Sequence, residues 1–218
     1  MPGPGTAQQW RIVIPVRGTA PSKSRLALPD EDRERLARAF ARDTVHAALE
    51  SRLAAEVVVV TAEAARTVFE HMGARVLTES APASLAGAIL AGLASCPVAA
   101  PRAVLLGDLP ALDGDSLDVT LRAAASVPLG VVPDAAGTGT TLLTASAGIA
   151  HRPAFGTGSF ARHLAAGYAS LAERAPARIR ADVDTIDDLE RAVTLGLRPA
   201  SRRVHARITG PLRATTSP

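Results

Sequence analysis

Short unbroken apolar runs alternate with amphipathic stretches along most of the chain. Arg11-Ile-Val-Ile-Pro-Val16 is an apolar run closed by Gly18 and Pro21, and it predicts a buried first strand. A loop of Gly, Pro, Ser and Thr residues follows over 17–29. Asp30 is placed to cap a helix running to about residue 50, with Leu36, Phe40 and Leu49 on a common side. Glu56-Val-Val-Val-Val-Thr61 is the β-branched pattern of a strand covered on both faces. Further along, the pattern predicts helices over 62–72, 84–95, 113–126, 159–171 and 185–195. It predicts strands over 74–77, 103–106, 129–133, 140–144 and 178–181. Strands alternating with helices imply an α/β fold: one domain, a three-layer sandwich with helices on both faces of a mostly parallel sheet. The domain is expected over 10–197. Residues 1–9 read as a flexible tail and 198–218 as a basic C-terminal tail, mobile from residue 200.

Composition narrows the class. The chain has 218 residues, 47% apolar and 21% charged, which excludes global disorder and suits one full core. Aromatics are only 3%, so Ala, Val, Leu and Ile must build that core. There is no run of about 18 apolar residues to span a membrane, and the start shows no secretory signal pattern. The lone Cys96 forbids an internal disulfide and a cysteine metal cluster, and it reads as a packing residue. A cytoplasmic protein is expected.

The net charge of +3 invites a nucleic-acid reading, but no acid follows Glu190, while six arginines do. Without them the body holds 18 basic against 21 acidic residues, so the basicity belongs mostly to the tail. No nucleic-acid partner is expected. The cations hold a second signal: 23 are Arg and one, Lys23, is Lys, in a chain with 45 Ala and no Asn. In so biased a composition a surviving lysine points to a task that arginine performs badly.

Ligands of such sheets bind where loops converge beyond the carboxyl ends of the strands. The loop Pro15-Val-Arg-Gly-Thr-Ala-Pro-Ser-Lys-Ser-Arg25 offers open backbone amides, hydroxyls and the cations Arg17, Lys23 and Arg25, a set suited to a polyphosphate. It does not match the P-loop pattern, and a solvated basic loop is the bland alternative. Asp108 follows a buried strand within Gly107-Asp108-Leu109-Pro110. Asp182-Val183-Asp184 follows the last predicted strand; in extended chain both carboxylates point one way and Val183 the other. These carboxylates suit a hard divalent cation, with helix or turn capping as the structural alternative. Phe155-Gly-Thr-Gly-Ser159 opens a helix with small residues that leave its amides accessible to an anion. His163 shares a helix face with Ser159. No Ser-His-Asp or Cys-His arrangement is evident, as expected of a reaction whose nucleophile is already anionic.

Val13-Ile-Pro-Val-x6-Lys23-Ser-Arg25-Leu26, Gly107-Asp-Leu-Pro110, Gly137-Thr-Gly-Thr140, Phe155-Gly-x2-Ser159-x3-His163 and Asp182-Val-Asp-Thr185 occur in this order. Over about 10–197 this set resembles the guanylyltransferases of coenzyme F420 biosynthesis, which act on 2-phospho-L-lactate or phosphoenolpyruvate. The resemblance implies a Rossmann-like nucleotidyltransferase fold with a central mixed sheet. It implies GTP as co-substrate, release of pyrophosphate, and Mg2+, with two ions the expected number, held by Asp108, Asp182 and Asp184. It implies the phospho-acid against Thr140, Gly156 and Ser159, and the nucleotide phosphates against Arg17, Lys23 and Arg25. Hand-over of the product to the next enzyme of that pathway is a further expectation. The family often shows Leu-Asn-x-Ala-Ile in the third helix; here Leu85-Ala-Gly-Ala-Ile89 lacks that side-chain amide, so the mode of guanine recognition stays open, and backbone groups can read a base. Two other readings stay open: a metal-dependent glycosyltransferase, from the Asp-x-Asp pattern, and a non-catalytic nucleotide-binding module.

Overall fold

The computed structural model describes residues 8–16, 26–79 and 84–210. Strands β1 (Trp10–Pro15), β2 (Ala54–Ala62), β3 (Arg75–Glu79), β4 (Arg102–Leu105), β5 (Leu129–Pro133), β6 (Thr140–Ala145) and β7 (Ala169–Ser170) form one sheet. Its order is β3-β2-β1-β4-β6-β5-β7. β6 pairs antiparallel with both β4 and β5; every other pairing is parallel. The helices are α1 (Asp30–Glu50), α2 (Arg66–His71), α3 (Leu85–Ala94), α4 (Gly114–Ala124), α5 (Ser159–Ala165), α6 (Ala177–Arg180), α7 (Ile186–Leu195) and α8 (Pro199–Thr209).

The continuous apolar runs work because both sheet faces are covered, as the sequence predicts. Alternate residues go to opposite sides. Ile12, Ile14, Val57, Val59, Leu105 and Leu142 pack with α1, α2 and α4. Val13, Val58, Val60, Val104 and Leu143 pack with α3 and with Tyr168. A third cluster joins Leu36 and Phe40 of α1 to Val183, to Leu189 of α7 and to Val204 of α8. The mixed three-layer α/β architecture is therefore the one expected.

Several local expectations fail. The predicted strand over 178–181 is the short helix α6; Arg178 and Arg180 in it donate to the carbonyls of Ala111 and Asp134. The helix predicted to reach residue 171 stops at Ala165, where Gly167 takes φ 92° and the chain turns into the edge strand β7. Pro29, not Asp30, stands at the N-cap of α1, and it makes no side-chain cap. The expectation of mobile chain from residue 200 is corrected as far as residue 210. Pro199–Thr209 is helical because the buried Asp43 of α1 accepts the N–H groups of Ala200 and Ser201, at 3.1 and 2.6 Å, capping α8 from outside. Residues 1–7 and 211–218 lie outside the described residues.

Helix α3 lies very close to the sheet through Gly92. A Cβ there would collide with Val13 Cγ1 and stand 3.0 Å from Val60 Cγ2. Gly92→Ala is expected to lower stability by about 2 kcal/mol in chemical denaturation, because neither β-branched neighbour can turn away. A variant as stable as the parent would mean that α3 shifts freely on the sheet.

Candidate functional site

The parallel strands deliver their carboxyl ends to one edge of the sheet, and β6, running the other way, delivers its amino end there. A cavity of about 560 Å³ opens at that edge. Asp108, Asp182 and Asp184 line it, and so do Thr140, Gly156 and Ser159. Six candidates from separate parts of the sequence thus share one cavity. Arg17, Lys23 and Arg25 belong to segment 17–25, which lies outside the described residues; Val16, just before it, lines the cavity.

The carboxylates are brought together by the main chain. Val183 N–H donates to the Asp108 carbonyl at 3.2 Å, so Asp182 and Asp184 flank the turn after β4. The same turn accepts Arg198 N–H at the Pro110 carbonyl, 2.9 Å, and Arg178 Nη1 at the Ala111 carbonyl, 2.8 Å. From the other side, Leu109 N–H donates to Thr44 Oγ1 of α1, 3.0 Å. Residues 181–183 are not a strand, yet Val183 is fully buried while both aspartates are half-buried, so the alternation of an extended segment holds. The capping alternative is answered nearby: Thr185 caps α7, and Asp188 returns a bond to the Thr185 N–H. Asp188 is thereby a capping-box partner as well as a match to the helix dipole.

Among the described residues, no three or more His, Cys, Asp or Glu side chains form a metal cage by themselves. Asp108, Asp182 and Asp184 nonetheless line one cavity, and carboxylate oxygens are the donor type that hard divalent cations take.

Opposite them, Thr140 Oγ1 accepts the Ser159 hydroxyl at 3.1 Å and lies 2.9 Å from His163 Nδ1. Gly156 and Gly158 adopt φ 113° and 69°, which bends the backbone ahead of α5. Arg162 braces that bend from outside: its guanidinium donates to the carbonyls of Ala154, Phe155 and Thr157. With those carbonyls turned outward, the segment is suited to present N–H groups to an anion.

Sequence reasoning missed Asp134. Its two carboxylate oxygens accept the N–H groups of Thr138, 2.8 Å, and Gly139, 2.7 Å, closing the turn that leads into Thr140. Any side chain at Gly139 would strike Asp134 Oδ2. The available signal was an Asp ahead of Gly-Thr-Gly in a short connection between strands. Arg162 was missed as well, since nothing local distinguishes it from other helix arginines.

The family model for CofC-like guanylyl transferases matches residues 10–196. The chain belongs to this family. Phosphoenolpyruvate guanylyltransferase of Streptomyces coelicolor is 43% identical to it over 206 residues, covering 92% of this chain and 97% of that one. Among solved structures, a 4-diphosphocytidyl-2C-methyl-D-erythritol synthase has the same fold, with a TM-score of 0.61 and 14% identity, over 88% of this chain and 99% of the other. Rv0371c of Mycobacterium tuberculosis, solved as a manganese complex, has a TM-score of 0.52 and 19% identity, over 87% and 100% of the two chains. The nucleotidyltransferase fold expected of this family member is therefore the one observed.

Two histidines near this region are held neutral, His163 fully buried and His151 half-buried. Burial pushes His163 down to about 4, and the Arg162 charge acts in the same direction. Burial likewise pushes His151 to about 4 against the opposing bond to the Arg102 carbonyl. An unfolded histidine titrates near 6.5, so between about pH 6.5 and 4 the unfolded chain binds more protons than the folded one. Stability should therefore fall as pH is lowered through that window, by up to about 1.4 kcal/mol per pH unit for each histidine. Urea unfolding at a series of pH values tests this; a flat profile between neutrality and about pH 4.5 would contradict neutral buried rings.

Proposed function

We propose that this chain transfers GMP from GTP to the phosphate of phosphoenolpyruvate, releasing pyrophosphate, as a cytoplasmic step of coenzyme F420 biosynthesis. The observation that carries this reading is the meeting of two candidate sets on one cavity, the carboxylates and the Thr140–Gly156–Ser159 group, in a CofC-family chain. The relatives' name favours phosphoenolpyruvate over 2-phospho-L-lactate as the acceptor. The product would pass to the next enzyme of the pathway.

An oxygen of the acceptor phosphate attacks the α-phosphorus of GTP. A new P–O bond forms, the bond from the α-phosphorus to the α,β-bridging oxygen breaks, and that oxygen leaves with pyrophosphate. The nucleophile is already anionic, so the protein supplies position and charge rather than a general base. Ser159, Thr140 and the Gly156 amide hold the acceptor. Arg17 and Arg25 clamp the nucleotide phosphates. Lys23 neutralises charge that grows on the leaving pyrophosphate, a task for a compact ammonium. Asp108, Asp182 and Asp184 would hold Mg2+, as two ions, which would offset phosphate charge when bound. The manganese complex of a fold neighbour is in keeping with a divalent ion on this scaffold. With Ala at position 86, no side-chain amide is offered to guanine there.

Incubation with GTP, Mg2+ and one acid at a time is the direct test. Product mass should show a guanylylated acid with phosphoenolpyruvate and less or none with 2-phospho-L-lactate or 3-phosphoglycerate. Release of nucleoside diphosphate from a nucleotide sugar would instead favour the glycosyltransferase reading.

Single replacements test the roles. Asp108→Ala, Asp182→Ala and Asp184→Ala should each abolish turnover while the melting temperature stays near that of the parent; an active variant removes its residue from the metal site. Lys23→Arg keeps the charge, yet turnover should fall at least about tenfold, roughly 1.4 kcal/mol of transition-state stabilisation, with a smaller change in GTP binding. Parental turnover in that variant would mean that the lone lysine is an accident of composition.

A further inference from the structure

His163 is fully buried, yet both ring nitrogens are engaged. The Ala154 N–H donates to Nε2 at 2.8 Å. A backbone N–H can only donate, so Nε2 carries the lone pair and the proton of the neutral ring sits on Nδ1. Nδ1 faces Thr140 Oγ1 at 2.9 Å, and Thr140 Oγ1 also takes the Ser159 hydroxyl at 3.1 Å. The two lone pairs of Thr140 Oγ1 are thereby filled, which leaves its own proton to donate. The ring cannot rotate away, because Phe155 and Tyr168 meet it edge-on, with centroids at 5.2 and 5.4 Å.

We infer that His163 is a positioning residue for the acceptor: it fills the Thr140 oxygen from behind, so that Thr140 presents a hydroxyl proton to an oxygen of the ligand in the cavity. This rests on the guanylyltransferase reading above. The same ring ties Ala154, at the start of the glycine-rich bend, to β6, so one side chain sets both the direction of the hydroxyl and the position of the loop. At Thr140 the ligand thus meets a donor and no acceptor. A phosphate or carboxylate oxygen can take that proton, whereas a ligand hydroxyl placed against Thr140 would find no lone pair on it.

Replacement of His163 separates this role from mere packing. A glutamine carboxamide offers one acceptor and one donor at a spacing close to that of the two ring nitrogens, whereas leucine offers neither. In steady-state assays His163→Leu should raise KM for phosphoenolpyruvate at least about tenfold and change KM for GTP less than about twofold. His163→Gln should recover most of the loss. Equal effects on the two substrates, or equal impairment in the Leu and Gln variants, overturns the inference. The parent protein gives a reading that does not depend on any variant folding. Nitrogen-15 spectra of its histidines at neutral pH should show His163 as the Nδ1–H tautomer, with that signal moving when phosphoenolpyruvate is added. An Nε2–H tautomer, or a signal unmoved by phosphoenolpyruvate, overturns it. A parent enzyme that makes no guanylylated acid would sink the functional reading instead, while the tautomer would still report on the His163–Thr140 bond.

Discussion

One main-chain hydrogen bond, from Val183 N–H to the Asp108 carbonyl, decides where the proposed chemistry can take place. It joins the turn after β4 to a segment near the end of the chain. It leaves the side chain of Asp108 on the cavity and sets Asp182 and Asp184 on either side of the buried Val183. A main-chain bond is a sound choice for this task. It fixes the backbone through main-chain atoms, and the three aspartates line the cavity. The bonds from Arg178 and Arg198 to the next carbonyls of the same turn prevent it from peeling away as a unit.

The two sides of the cavity are built on different physics. The carboxylate side depends on backbone bonds between distant segments. The Thr140 side depends on side chains that satisfy one another within a short stretch: Asp134 closes the turn into β6, Thr140 begins that strand, and Ser159 and His163 reach it from one face of α5. The reversed direction of β6 makes this possible. A parallel strand would bring its carboxyl end to this edge and would need a long crossover. The hairpin instead returns at once and places the first residue of β6 beside the end of β4.

The architecture was legible in the sequence because its signals are local. Val57 to Val60 and Ala103 to Leu105 can only be strands buried on both faces, and the order of strands and helices then dictates the layers. Asp108 stood out for the same reason, since it follows a buried strand; Asp182 and Asp184 were singled out through a strand over 178–181 that is in fact a helix, and only their alternation about the buried Val183 holds. What escaped was set by contacts across the fold. Four residues at 177–180 turn into a helix, and Pro199–Thr209 is helical, because partners elsewhere hold them: Ala111 and Asp134 carbonyls in one case, the Asp43 carboxylate in the other. No pattern in the segments themselves announces those partners.

His163 shows how far a sequence motif goes before geometry must take over. The spacing to Ser159 places both on one helix face, which is all that a helical period can say. The direction of every proton follows only from a partner with no freedom of its own, the Ala154 N–H. Once that amide fixes the lone pair on Nε2, Nδ1 must donate and Thr140 must accept; with Ser159 donating to the same oxygen, the Thr140 proton is left for whatever enters the cavity. A buried histidine held neutral is well suited to begin such a chain. It has one donor and one acceptor, and its burial keeps a second proton from reversing the order. A glutamine could copy the pattern but, with an extra rotatable bond, would hold it less firmly.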